Sequence, residues 1–568
     1  MKTLGTRLWP LLLTLSLTAN ASEEDLRTHY DVGAYDLQLA VRPDTKTLEG
    51  VVAITATVTA GTLESFVVDL NSLHEVIGVR DGVGGSLEFR HADDVLAIRL
   101  AAPVAKGAEL TVRVHYKGQP KGGNFDGFHW ERSAAGEPWI STSCQGLGAH
   151  YWYPCKASFF HADDKPERVS MAITCPAKLY GVSNGKLLGI AEGGPEWFDV
   201  EDASAWKTYR WRHDYPLETY AVTLNVGPYV VVEDQLELPG IDKPVPYAYY
   251  VLPENAEKAA LQFQDVPELL KIFSDAFGPY PFPESKFALV ETNFWGMEHS
   301  TAVAYGSSYP AWRKANGEAD PYEDRNKWFD FILVHEVAHE WWGNAVSAQD
   351  WGHFWIHEGL ASYAEGVYVE MTQGRKAADA YFQEVGRRVP GNRGRLYRRD
   401  HLDSKSAYDV LMYDKGSVVM HAVRHYIDND PTWWRVLRGF QAEFRYGNAT
   451  TEHFRDVLIK ETRRDWGRFV REWIYGEGTP ALTIRFLTSE EGTYCEVENV
   501  RGQFLVPLDL TWTEGRPRRV RFWVEPGVHQ FRIPCASRPA DLRPIWLERL
   551  PGDHTVEKSR ENGQNDDR

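Results

Sequence analysis

The stretch His335-Glu336-Val337-Ala338-His339 is where residue type and spacing in this chain point to metal chemistry. On a helix, residues four apart share a face one turn apart, so two imidazoles can reach one ion. The apolar residues before it (Trp328, Phe329, Phe331, Ile332, Val334) predict the buried face of such a helix. Zinc accepts imidazole nitrogen and carboxylate oxygen, and a catalytic zinc keeps one position for water. Glu336 lies about 100° round the helix from His335, so it is expected to take a proton from that water and not to bind the metal. The third ligand must come from another element, and Glu358, in W-I-H-E-G-L-A-S-Y-A-E, is the best placed. That segment also reads as a helix.

With 19 histidines in 568 residues, H-E-x-x-H arises by chance in roughly one such chain in twenty, and requiring the later glutamate lowers this about tenfold. The competing reading is a helix with solvated His and Glu. Trp342 and Ala345 stand where a metzincin needs Gly and His, which excludes that class. His353 and His357 read as surface or supporting histidines. Glu340, Asp350 and Glu365 are acids near the ligands that could accept an imidazole N–H.

These residues must be positioned by a large chain. At 568 residues several domains are expected, and 43% hydrophobic with 25% charged residues is an ordinary globular composition. Lys2 and Arg7, the apolar run Leu8–Leu17 and Ala19-Asn20-Ala21 read as a signal peptide, 1–21, too short to span a bilayer. Its removal would take two cations and no acid, moving the formal charge from −18 to −20. Such acidity disfavours nucleic acid and stable membrane association. The expected location is periplasmic or secreted. Five cysteines (Cys144, Cys155, Cys175, Cys495, Cys535) lack metal-site spacing, and their pairing is left open.

Alternating and β-rich stretches such as Tyr35–Val41, Gly50–Thr59, Val169–Ile173 and Thr219–Gly227 predict an N-terminal antiparallel β-domain, 22–235. Helical signals then alternate with a strand at Lys286–Glu291 across 236–475. Strand signals return from Leu482 to Ile533 and predict a C-terminal β-sandwich, 476–550, before a disordered polar tail, 551–568. The fold class is multidomain α+β.

H-E-x-x-H, eighteen residues, then Glu within W-x-x-E-G-x-A-x-Y-x-E resembles the gluzincin aminopeptidases of the aminopeptidase N and leukotriene hydrolase family. The resemblance implies a thermolysin-like catalytic domain and one zinc held by His335, His339 and Glu358. It also implies a water activated by Glu336 and peptide substrates with a free N-terminus. F-W-G-M-E-H resembles the family's G-x-M-E-N on an edge strand of the cleft, which makes Glu298 the carboxylate for the substrate α-amine, flanked by Gly296 and Met297. Trp295 and His299 depart from that pattern, so subsite preference is open. Gln145, in Pro138–Lys156, matches a residue that helps hold the N-terminal residue. Y-x-K-G at Tyr413–Gly416 implies that Tyr413 donates to the oxyanion, with Tyr408 a weaker neighbour. Rival readings are a gluzincin endopeptidase, a non-catalytic zinc-bearing binding protein, and a hydrolase of small lipids or epoxides. Natural substrate and oligomeric state are not readable from sequence.

Overall fold

The computed structural model describes residues 25–123, 126–306, 308–389, 394–398, 403–501, 503–535, 538–545 and 553–557. The expected signal segment, 1–21, lies outside them. The architecture is multidomain and mixed, with β-rich ends flanking a helical centre.

The N-terminal region folds because alternation gives its strands one apolar face. In Tyr30–Arg42, Tyr35, Leu37, Leu39 and Val41 are buried. This strand pairs antiparallel with Thr47–Val58 and parallel with Arg168–Pro176 inside a seven-stranded sheet. The sheet is therefore antiparallel apart from that one pairing. A second, four-stranded sheet contains Pro138–Ser143 and Leu224–Gly227. Thr219–Ala221, expected as part of a strand, is instead a 3-10 turn preceding Leu224–Gly227.

The central sheet has five strands in the order Val230–Leu236, Val245–Val251, Phe287–Glu291, Val303–Tyr305, Gly296–Met297. Val230–Leu236 pairs along its length with Val245–Val251, so the boundary expected between 235 and 236 falls inside a strand of this sheet. Phe287–Glu291 is buried throughout because both its faces are covered. Phe287 and Leu289 pack into the helical core, while Ala288 and Val290 pack into the core of the N-terminal region. The sheet is thus the shared wall between the two.

Four helices matter to the site: α1 Val266–Phe277, α2 Phe331–Ala338, α3 Trp355–Gln373 and α4 Leu411–Ile427. Trp328 and Phe329 precede α2, which starts at its cap Asp330, whose carboxylate accepts from the Leu333 N–H. Beyond α4, further helices lead to two sheets built from Ala481–Ser489 onward. One of these includes Asp553–Glu557, paired parallel to Ala481–Arg485. The tail expected to be disordered from 551 therefore carries a strand at 553–557, and residues 558–568 lie outside the described part. All five cysteines are free thiols. Among the described residues, no helix is long and apolar enough to cross a membrane.

Candidate metal centre and cleft

Three lone pairs converge where α2 meets α3. His335 Nε2 and His339 Nε2 are 3.2 Å apart, and Glu358 Oε2 stands 3.3 and 3.4 Å from them. The opposite nitrogens fix both tautomers. His339 Nδ1–H donates to the Trp342 carbonyl at 2.8 Å, and His335 Nδ1–H donates to Glu365 Oε1 at 2.7 Å. Both Nε2 atoms are therefore acceptors, and Glu358 Oε2 is buried without a hydrogen-bond partner. Three acceptors facing one another in a buried site repel unless a cation lies between them. Donors about 2.0–2.1 Å from a tetrahedral zinc are about 3.3 Å apart, so the observed triangle fits that ion. Burial raises the Glu358 carboxyl, but the His339 and His335 imidazoles overcome this and hold it well below the usual carboxylate range.

Glu336 lies between this triangle and the edge strand, its carboxylate within 4.8 Å of a His339 nitrogen. A Cβ on Gly296 would lie 2.7 Å from Glu336 Oε1 and 2.7 Å from Ile332 Cγ2. Only glycine lets the edge strand pass this close to α2. Met297 is buried in the core shared with the N-terminal region. Burial pushes the Glu336 carboxyl up to about 8, opposed by His335 and His339 and reinforced by Glu298 and Glu358.

Glu298 follows the edge strand and is 3% exposed. Its Oε1 accepts from Gln145 Nε2 at 2.6 Å and from the Tyr220 hydroxyl at 2.9 Å. Gln145 Nε2 also lies 3.2 Å from Glu358 Oε1. With its Nε2 hydrogens directed at two carboxylates, Gln145 ties the Glu298 side of the cleft to the metal side. Burial raises the Glu298 carboxyl. Trp295 packs edge-on against Tyr322, and His299 is fully buried.

Tyr413, in the first turn of α4, lies across His335, with ring centroids 5.7 Å apart and planes tilted by 24°. Tyr408 is half exposed and meets Tyr413 edge-on. A Cβ on Gly416 would come 2.5 Å from Gly359 Cα, so this glycine pair sets how closely α4 crosses α3.

Of the three acids considered for supporting the imidazoles, the structure places one there. Glu365 bonds His335 and also accepts from Tyr381. Glu340 instead accepts from the Thr301 N–H, the Tyr280 hydroxyl and the Asn344 amide. It braces the turn after Glu298, where Thr301 has a positive φ of 59°. Asp350 is exposed and caps the short helix at Trp351–His353. His357 is wholly buried, not at the surface, and its Nε2 accepts from the Ala348 N–H. Sequence reasoning missed Tyr220, because nothing local marks a tyrosine whose partner is 78 residues away.

Two histidines from one helix and a glutamate from the next, beside a mixed sheet with a short edge strand, are the arrangement that the resemblance to gluzincins implied. Residues 261–473 match the family described as the Peptidase family M1 domain. Among curated relatives, the chain is 24% identical to endoplasmic reticulum aminopeptidase 1 of Mus musculus over 384 residues, which is 64% of this chain and 38% of that protein. It is 22% identical to aminopeptidase M1-D of Oryza sativa subsp. japonica over 400 residues, 65% of this chain and 41% of that one. The match thus spans about two fifths of the length of these relatives. Among solved structures, the M1 zinc metallopeptidase of Deinococcus radiodurans superposes with a TM-score of 0.63 at 21% identity, covering 80% of this chain and 95% of that one. Legionella pneumophila aminopeptidase A, in complex with aspartic acid, gives 0.74 at 15% identity, covering 94% and 60%.

Proposed function

We propose that this protein is a zinc-dependent aminopeptidase that removes the N-terminal residue from peptides. The observation that carries the reading is the pairing of a metal-ready triangle with a separate buried carboxylate, Glu298, held apart from it by Gln145. A carboxylate beyond the metal selects substrates whose α-ammonium is one residue from the scissile bond.

His335, His339 and Glu358 would hold one zinc, which supplies a Lewis acid and lowers the pKa of water bound to it. Glu336 accepts the proton of the attacking water and passes it to the leaving amine. Its raised affinity for a proton suits a group that must both take and return one. Glu298 pairs with the substrate ammonium through Oε2, since Oε1 already accepts two hydrogen bonds. Gln145 has its amide N–H groups engaged, which leaves its carbonyl oxygen to accept from the same ammonium. Tyr413 donates to the oxyanion. The catalytic unit would run from Val230 to about residue 475, between the N-terminal β-unit and the C-terminal sandwich.

Glu336→Gln is expected to keep zinc while turnover falls by about 10²–10⁴-fold, checked by metal analysis beside a kinetic assay. Amino-acyl anilides and their N-acetylated twins, with and without chelator, test the whole reading. Chelator-sensitive release from the free-amine set alone is expected. Equal cleavage of the blocked set would indicate an endopeptidase, and inactivity toward both sets would point to a binding protein or a small-molecule hydrolase.

A further inference from the structure

Tyr220 sits on the 3-10 turn Thr219–Ala221 of the N-terminal region, 1% exposed, with its ring against Trp351. Its hydroxyl has one proton to give, and the surroundings decide where that proton goes. His357 Nε2 accepts the Ala348 N–H at 2.9 Å, so this imidazole carries its proton on Nδ1, 3.3 Å from the Tyr220 oxygen. That oxygen therefore accepts from His357, and its own O–H is left to donate to Glu298 Oε1 at 2.9 Å. The direction of the whole chain is set, from Ala348 through His357 and Tyr220 to Glu298.

The turn that carries Tyr220 is fixed to the segment that carries Glu298. Asn184 Nδ2 donates to the Ala221 carbonyl at 3.0 Å and to the Ser300 carbonyl at 2.6 Å. The Tyr220 N–H donates to Ser158 Oγ, while the Ser158 carbonyl accepts from Trp351 Nε1. The tyrosine is thus braced against both walls of the cleft and has no freedom to follow a wandering carboxylate. It is the carboxylate that must conform.

We propose that Tyr220 is a positioning residue for substrate recognition. With Gln145 it occupies Glu298 Oε1, which turns Oε2 toward the α-ammonium and fixes the distance between amine and metal. This rests on the aminopeptidase reading above, and it makes the N-terminal region a working wall of the amine pocket.

The test compares two inhibitors with the same side chain, an α-amino hydroxamate and its amine-free hydroxamate, on zinc-loaded wild type and Tyr220→Phe. The loss of one hydrogen bond to a charged group predicts about tenfold weaker binding of the α-amino compound, an increase in KM of similar size, and kcat within about threefold. The amine-free hydroxamate should bind both proteins alike. Equal weakening of both compounds, or of neither, would overturn the proposal. If Tyr220→Phe loses zinc or fails to fold, a fluorotyrosine placed at 220 keeps the shape and alters the donor strength. The ratio of the two affinities should then shift, and an unchanged ratio would overturn the assignment. Wild type that binds both hydroxamates equally and cleaves N-acetylated anilides would instead sink the aminopeptidase reading itself, an outcome distinct from any behaviour of the variant.

Discussion

At the scale of single residues, the site works by consuming every hydrogen-bonding direction except the useful one. Glu365 is the clearest case. It accepts the His335 Nδ1–H bond and so leaves the Nε2 lone pair free to bind a cation. Glu365→Leu, which removes the acceptor, should lower zinc affinity by about 10–100-fold, read by titration in metal buffers. A variant that holds zinc as tightly as wild type would show that tautomer control is not its role. His213 offers a second test at this scale. It is fully buried between Tyr215 and Phe282, and burial, with help from Lys286 and Lys165, lowers it to about 3. Above pH 6.5 both folded and unfolded states hold it neutral. As pH falls below that, the unfolded chain protonates first, so its contribution to stability drops by about 1.4 kcal/mol per unit toward the folded value. Compared with His213→Phe, in which all other groups are shared, wild type should lose its relative stability to urea between pH 6.5 and 4. A constant difference would contradict the burial argument.

At the scale of elements, the question is how separate helices meet to sub-ångström tolerance. Motif glycines answer it. Gly359 follows Glu358 on α3, Gly416 lies three residues after Tyr413 on α4, and their backbones touch. The contact brings Glu358 and Tyr413, the proposed metal ligand and oxyanion donor, to the same end of the cleft. Gly416→Ala should force the helices apart at a cost of about 1–3 kcal/mol, with kcat falling more steeply than the melting temperature suggests because Tyr413 moves with its helix. Unchanged kcat in a folded variant would sever that link. Gly296 plays the matching part for the edge strand, where a Cβ would meet Glu336 and Ile332 of α2.

At the scale of the molecule, the N-terminal region and the helical core are joined through buried charge as well as the shared sheet. Lys165 Nζ donates to the Asn344 carbonyl and Ser347 Oγ, in the segment that links α2 to α3. Glu218, also buried, lies nearby and 3.8 Å from His357. Burial pulls Lys165 down and pushes Glu218 up, each resisted by the charge of the other. Lys165→Met should leave an uncompensated carboxyl and cost about 3–5 kcal/mol in urea unfolding, while Lys165→Met with Glu218→Gln should recover much of it. A double variant no better than the single would mean that the pair does not interact.

The sequence by itself determined the mixed multidomain fold class, and it named His335, His339, Glu358, Glu336, Glu298 and Tyr413 as the candidates that the fold gathers around one cleft. The histidine pair and Glu336 rest on one helical turn, the fold class on alternation along strands, and Glu298 and Tyr413 on the resemblance of G-M-E and Y-x-K-G to a known family's motifs. It also named Gln145, but gave no means of seeing the two carboxylates its amide joins. What only the tertiary structure decided depends on surfaces meeting across long loops. The assignment of Glu365 over Glu340 and Asp350 came from the crossing of α2 and α3. Tyr220 and His357 acquired their roles because a turn of one sheet closes over a helix 137 residues away. No periodicity encodes such a contact. It follows from how the layers stack, which is a property of the whole packed chain.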